Sequence, residues 1–287
     1  MSVILSILID GIAYGMILFM ISVGLSVVMG LMRVINLAHG GFALIGGAFA
    51  HWFTVGLGLP FESGAVLAIV ATMIIALPLE VMLYQRIYKM TELEQVLATI
   101  GITFIMIAAV NFWLGSALLA VQIPDWMTGS VDLGFRTLPL HRIVVISVGV
   151  AVILGLILAL DRTRFGIHLR AAVDHRDTAA TLGINTNRIF ALTFMLGAGL
   201  AALGGILGAE LLPIDSYYPL RYMVLFLIVV AVGGMGSITG SFAAALGLGI
   251  LDTAARYLVS DFAAVAFFVL VMAVLMLRPQ GILRRAA

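Results

Sequence analysis

Between Asp161 and Arg188, eight of 28 residues are charged (Asp161, Arg162, Arg164, Arg170, Asp174, Arg176, Asp177 and Arg188), and long uncharged apolar runs stand on both sides. Runs of that kind belong in hydrocarbon, so the island between them must lie outside it, as a structured connection offered to a partner. Its segment RAAVDHRDTAATLGINTNRI is helix-forming and rich in small residues. Asp177 is expected to cap a short helix over residues 178–182, with Gly183 in the left-handed position after it. Asn185 or Asn187 would then cap the next membrane helix. Arg176, Thr178 and Thr181 are expected on the outer face of the short helix. The plain alternative is an amphipathic linker resting on anionic headgroups.

Composition supports a membrane class. The chain is 63% hydrophobic and 10% charged, with mean hydropathy +1.22, against about 45–50% apolar and about 25% charged in soluble domains. A formal net charge of +1 gives no footing for nucleic acid. The absence of cysteine excludes disulfides, thiol catalysis and thiolate metal sites. The opening MSVILSILIDGIAYG carries no Lys or Arg and is expected to be a first span, not a signal peptide.

A helix needs roughly 20 apolar residues to cross the bilayer core. Windows of that kind, or shorter, fall at Val3–Met32, Ile35–Leu57, Gly64–Tyr84, Gln95–Gly115, Ile143–Leu160, Ile189–Leu212, Tyr222–Val232, Gly240–Leu258 and Phe262–Leu277. Ile35–Leu57 and Tyr222–Val232 look broken or re-entrant, with glycine-rich joints at His39–Gly41 and Gly233–Gly240. The expectation is an all-α polytopic membrane protein, a bundle of about eight to ten transmembrane helices, some of them broken or re-entrant. Residues 1–287 would form one transmembrane domain, with 161–188 as a loop within it. Placing the island inside puts Arg33, Arg86, Lys89, five island arginines, Arg278, Arg284 and Arg285 on that side, eleven in all. Only four remain outside: Arg136, Arg142, Arg221 and Arg256. That bias puts the island and the C-terminus in the cytoplasm and the N-terminus outside. The longest outer connection, Ser116–His141, reads as an interfacial loop with Trp126 as anchor, or as a docking surface.

Glycine recurs at helix-packing spacing in Gly11/Gly15, Gly204/Gly208 and Gly236/Gly240. Small residues let helices approach closely in lipid; tight packing is the bland reading, a sliding interface the sharper one. VVMGLMRVINLAHGGFALIGGAFA and VVAVGGMGSITGSFAAALGLGILD share an apolar run, a glycine break and a small-residue helix. Repeated broken helices point to a transport route.

Chemistry is sparse. The single lysine, Lys89, follows Tyr88, so the chain has no phosphate-binding Gly-Lys-Ser/Thr loop. No His is followed by Glu and no Gly-x-Ser-x-Gly elbow exists, so neither catalysis nor a metal site is expected. Charges within spans default to pairing or pathway roles. Asp252 and Arg256 stand four apart and share a helix face; they form a pair or line a pathway. Asn36, His39 and Gly40 open the second span, where Asn36 suits capping and His39 either caps freed backbone or faces the route. Glu80 is expected to pair with Arg86 at the interface. Glu210 and Asp215 flank Pro213 at an outer helix end, where water or a partner would satisfy them.

RTRFGIHLRAAVDHRDTAATLGINTNRIFALTFMLGAGLAALGGILGA resembles the coupling-loop region of branched-chain amino acid ABC transporter permeases of the LivH kind. GLSVVMGLMRVINLAHGGFALIGGAFA resembles that family's N-terminal signature, and GGMGSITGSFAAALGLGILD and RPQGILRR resemble its last third. His168 departs from the family's pattern, in GIHLRA where the family has GRALRA. The resemblance implies an ABC-importer permease fold in the inner membrane and a role translocating branched-chain or related amino acids. Partners implied are a second related permease or another copy, two cytoplasmic ATPase subunits, a periplasmic binding protein and membrane lipid. This chain would need no cofactor of its own, ATP and magnesium being bound by the ATPases. Carried over by position, Arg170, Ala171, Asp174, Arg176, Asp177, Thr178, Leu182 and Gly183 would form the segment that couples to the ATPase. Urea and short-chain amide importers use similar permeases. An ion-coupled secondary transporter and a membrane-embedded enzyme are the alternatives from other classes.

Overall fold

A computed structural model describes residues 2–32, 34–132, 134, 136–278 and 281. Arg33, Arg284 and Arg285, used above in weighing orientation, lie outside the described residues. In chain order the helices are α1 (Ser2–Met32), α2 (His39–His51), α3 (Phe61–Leu79), α4 (Gln85–Ile87), α5 (Glu92–Leu114), α6 (Asp125–Thr128), α7 (Leu140–Arg162), α8 (Arg164–Asp174), α9 (Arg176–Thr181), α10 (Thr186–Gly208), α11 (Tyr218–Gly233), α12 (Ile238–Leu258) and α13 (Ala263–Leu277). Wide π-helical turns, Trp52–Gly56 and Glu80–Tyr84, extend α2 and join α3 to α4. Two short antiparallel strands, Ser130–Asp132 and Thr137–Pro139, pair with Val131 opposite Leu138.

Seven helices among the described residues are long and apolar enough to cross a membrane: α1, α3 with its extension, α5, α7, α10, α12, and α13 with the turn before it. The chain is an all-α multi-pass membrane protein. The 16-residue α11 and the interrupted α2 are the two segments expected to be broken.

Two helices form the centre. The apolar windows of α1 and α10 are each 72% buried, against 17% for α7 and α13. In lipid an apolar face can point outward, so the strongly apolar α7 and α13 stay at the edge and the glycine-bearing α1 and α10 take the middle. Small residues set how close the neighbours come. On α1, Gly11 meets Ile250, Gly15 meets Ala245 and Leu246, and Gly24 meets Gly197 of α10. On α10, Gly204 and Gly208 receive Ile21 and Ile17 of α1, while Gly205 lies on Ala43 of α2. The recurrent glycines are therefore packing points.

Both breaks pack on α1. The α11–α12 joint turns through Gly234 and Gly236, both at positive φ, and the Gly236 N–H donates to the Ser26 carbonyl at 3.2 Å. A Cβ on Gly30 would lie 2.1 Å from Gly236 Cα, so neither backbone tolerates a side chain there. The start of α2 also turns into the bundle, because the His39 Nε2–H donates to the Ile21 carbonyl at 3.0 Å. Ile21 lies 11 residues before the last residue of α1, roughly 16 Å along its axis at about 1.5 Å per residue.

Candidate functional site

Three polar constellations interrupt the apolar bundle. The first is the charged island, now two helices joined at an elbow. Thr163 caps α8 by accepting from Gly166 N–H at 3.4 Å. His175, in extended backbone between α8 and α9, turns the chain. Leu169, Ala172 and Ala179 face inward. Gly183, at φ +85°, stands after Leu182 as expected, and Asn185 caps α10 by accepting from the Arg188 N–H at 3.0 Å.

One expectation for the island changes. Asp177 does not cap α9: the helix begins at Arg176 after an uncapped His175, which places Asp177 in the first turn. There its charge still favours the helix dipole. Arg176 is exposed, as expected, but its head folds back over the elbow. Its Nη2 donates to Asn187 Oδ1 at 2.8 Å and its guanidinium lies 5.0 Å from the centre of the Phe190 ring. Arg170 likewise turns back, donating to the Leu160 carbonyl at 2.6 Å and pairing with Asp161 at 3.3 Å. These arginines brace the elbow: a planar head with several donors in fixed geometry can hold two chain segments at once. Asp174, Asp177, Thr178, Leu182 and Gly183 face outward, Ala171 is half-buried, and Leu182 is 77% exposed.

The second constellation surrounds the start of α2. Pro78 inside α3 removes one N–H from the helix ladder, and the wide π turn follows directly. That turn aims Glu80 and Tyr84, four residues apart and both fully buried, into the bundle. The Tyr84 hydroxyl donates to Asn36 Oδ1 at 2.8 Å, and Asn36 Oδ1 also accepts from the Ala38 N–H at 3.1 Å. Asn36 does not cap α2, whose N-cap Ala38 has no side-chain cap bond; it holds the turn before the helix instead. Gly40 lies against Pro219 and Phe226 of α11. Glu80 does not pair with Arg86; it accepts from the Tyr88 hydroxyl at 2.5 Å, because the π turn points it inward while Arg86 stays exposed. Burial, reinforced by the Glu80 carboxylate, holds the Tyr88 phenol well above its ordinary pKa, so it remains a donor at any working pH.

The third lies at the end of the bundle opposite the island. Asp10 of α1, 8% exposed, accepts from Arg136 Nη1 at 2.8 Å and the Tyr257 hydroxyl at 2.7 Å, and pairs with Arg142. Asp252 and Arg256 of α12 pair at 2.7 Å, as their spacing predicts. Glu210 and Asp215 need no external partner: Glu210 meets His141 at 2.8 Å and Asp215 meets Arg221 at 2.6 Å. The Ser116–His141 connection is similarly tied down, with Trp126 Nε1–H donating to Glu62 at 2.7 Å.

The island lies at the other end of the bundle from the third group, while its Arg176 is near enough to Glu80 and Tyr88 to act on both; the expected pathway residues divide into two sets, Asn36, His39 and Gly40 at the break and Asp252 and Arg256 at the far end. Asp10, Arg142, Tyr84, Tyr88 and Tyr257 were not anticipated. Asp10 carried a signal, as the one acid in an otherwise apolar 31-residue helix; Pro78 before Glu80 was a second.

With this arrangement in view, the comparison with known proteins is decisive. A family model described as branched-chain amino acid transport system, permease component, matches residues 7–278. The chain belongs to that permease family. It is 28% identical to the high-affinity branched-chain amino acid transport system permease protein LivH of Escherichia coli K12, over 96% of this chain and 94% of the relative. It is 28% identical to BraD of Pseudomonas aeruginosa over 97% and 95%, and 26% identical to a probable LivH of Methanocaldococcus jannaschii over 94% and 90%. Like other members, this permease is a component of a transport system, and its conserved-length match spans the island and both breaks alike.

Proposed function

We propose that this permease is the membrane-spanning subunit of an ABC importer that carries branched-chain amino acids across the bacterial inner membrane. The island faces the cytoplasm and docks on one of two ATPase subunits. A second permease, related or identical, completes the bundle, and a periplasmic binding protein delivers substrate to the opposite end. The N-terminus lies outside and the C-terminus inside. Energy arrives through the partners, since the chain has no Gly-Lys-Ser/Thr loop to bind nucleotide itself. Asn36, His39 and Gly40 line the pathway at the inner break; Asp252 and Arg256 line it at the outer mouth.

One observation carries the reading. The elbow of α8 and α9 is braced from within by Arg170 and Arg176, while Asp177, Thr178 and Leu182 stay exposed. Leu182, 77% exposed, and Ile167, 57% exposed, leave apolar surface on a braced, polar elbow, as a face that a partner covers would. ATP-driven closure of the ATPases would push this braced elbow as one body and move α10, which it adjoins.

The test is to purify the tagged permease from its native membrane, with Leu182→Glu and Asp177→Arg as variants. Both side chains are exposed, so Leu182→Glu should keep its thermal stability and Asp177→Arg should lose only the helix-dipole contribution, about 0.3–1 kcal/mol. Co-purification of an ATPase with the wild type, lost in the variants together with leucine uptake, supports the reading. Full ATPase recovery and full uptake in both variants would refute the docking role.

A further inference from the structure

The Asp252–Arg256 pair sits where two cavities join. One, of about 340 Å³, is lined by Asp10, Arg142, Leu211, Leu212 and Tyr257. The other, of about 520 Å³, opens toward Leu225, Phe267 and Phe268. Tyr14, Tyr222, Asp252 and Arg256 line both. The volumes and the mixed wall suit a small organic ligand held by a few polar groups.

The two acids in this region are used differently. Asp10 is closed: Arg136, Arg142 and Tyr257 occupy its oxygens. The pair on α12 is open. Arg256 Nε donates to Asp252 Oδ2 at 2.7 Å, and Nη2 reaches Oδ1 only at 3.4 Å. The Arg256 side chain is 67% exposed while that of Asp252 is 10% exposed. Arg256 therefore extends from a buried carboxylate into the joint cavity, and its Nη1 makes no hydrogen bond among the described residues.

We propose that this joint cavity is an acceptor site for the zwitterionic backbone of an α-amino acid, with Arg256 taking the carboxylate and Asp252 the ammonium. This rests on the importer reading and adds where the substrate is first held. A zwitterion can insert into an open ion pair and leave no charge unmatched: each protein charge exchanges one partner for another. A ligand carrying one charge strands the other member of the pair, and stranding a partly buried charge is costly. Tyr14 and Tyr222 line the cavity beside the pair, and Arg221, paired with Asp215, lies 5.9 Å from the centre of the Tyr222 ring. Leu225, Phe267 and Phe268 supply an apolar wall for a branched side chain. Recognition is thus of the backbone first and of an apolar side chain second.

The experiment uses the permease complex in lipid nanodiscs without the binding protein, with ¹³C-labelled leucine followed by saturation-transfer NMR. Leucine is competed by unlabelled leucine, and at least tenfold less well by leucinamide, which keeps only the positive charge, or by 4-methylpentanoate, which keeps only the negative. Asp252→Asn, Arg256→Gln and the neutral double variant each lose the leucine signal, the double variant serving as the form that keeps a hydrogen-bonded pair without its charges. A leucine signal that survives in the double variant overturns the site. So does equal competition by all three ligands. Wild-type complex that imports leucine with its binding protein but gives no competable signal overturns the site and leaves the importer reading standing. Wild-type complex that imports no amino acid at all overturns both.

Discussion

Alanine at Gly24 would put a methyl group where the two central helices touch. Its Cβ would lie 2.5 Å from the Gly197 carbonyl oxygen and 2.8 Å from Gly197 Cα, where unstrained carbon contacts are about 3.5–4.0 Å. Both partners are backbone, so no side chain can rotate away, and the helices must part by roughly 1 Å to restore contact distance. Overpacking of this kind costs about 1–3 kcal/mol. Gly155 on α7 is the control, because a Cβ there meets nothing within 4 Å, and alanine gains up to about 1 kcal/mol of helix propensity. The assay is thermal unfolding of both variants in one detergent, with a reversible SDS titration followed by circular dichroism. At about 2–4 °C per kcal/mol for chains approaching this size, Gly24→Ala should lower the midpoint by about 2–12 °C while Gly155→Ala holds or raises it. If Gly24→Ala is as stable as Gly155→Ala, direct backbone contact does not hold α1 against α10.

The hydroxyl network at the second break makes an ordered pair of predictions. Tyr88→Phe withdraws the donor from a fully buried Glu80 and should cost about 1–3 kcal/mol. Tyr84→Phe leaves Asn36 Oδ1 still accepting from Ala38 and should cost about 0.5–1.5 kcal/mol; the reverse order in detergent melts would refute the assignment. Asn185→Ala removes the cap of α10 and should cost about 1 kcal/mol, read as faster amide exchange at residues 186–189. Unchanged exchange there would show that the cap contributes nothing.

Much of this protein was legible locally. Apolar windows located the spans because hydropathy over twenty residues needs no knowledge of neighbours. The short segments at Ile35–Leu57 and Tyr222–Val232 were recognisable as incomplete, and α11 and the interrupted α2 bear this out. Gly183 and Asn185 took their turn and cap positions because those depend on backbone groups within three residues. The Asp252–Arg256 pair followed from helical spacing alone. Asp177 failed as a cap because helix ends shift by a residue or two under tertiary packing.

Long-range pairing was decided elsewhere. Asp10 meets Arg136 across 126 positions and Tyr257 across 247, and no local signal names such partners. Glu80 had Arg86 nearby in sequence, yet the π turn after Pro78 sent one inward and left the other exposed. Arg176 stays on the exposed side, as its place in the island suggested, but only the packing of α10 brought Asn187 and Phe190 within reach of its head. The sequence by itself determined which segments enter the membrane, where they break, and which island stays out. Only the tertiary structure decided which charges on different helices face one another, because hydropathy, caps and i,i+4 spacing are properties of one segment, whereas an ion pair between helices exists only once two helix faces have been packed together.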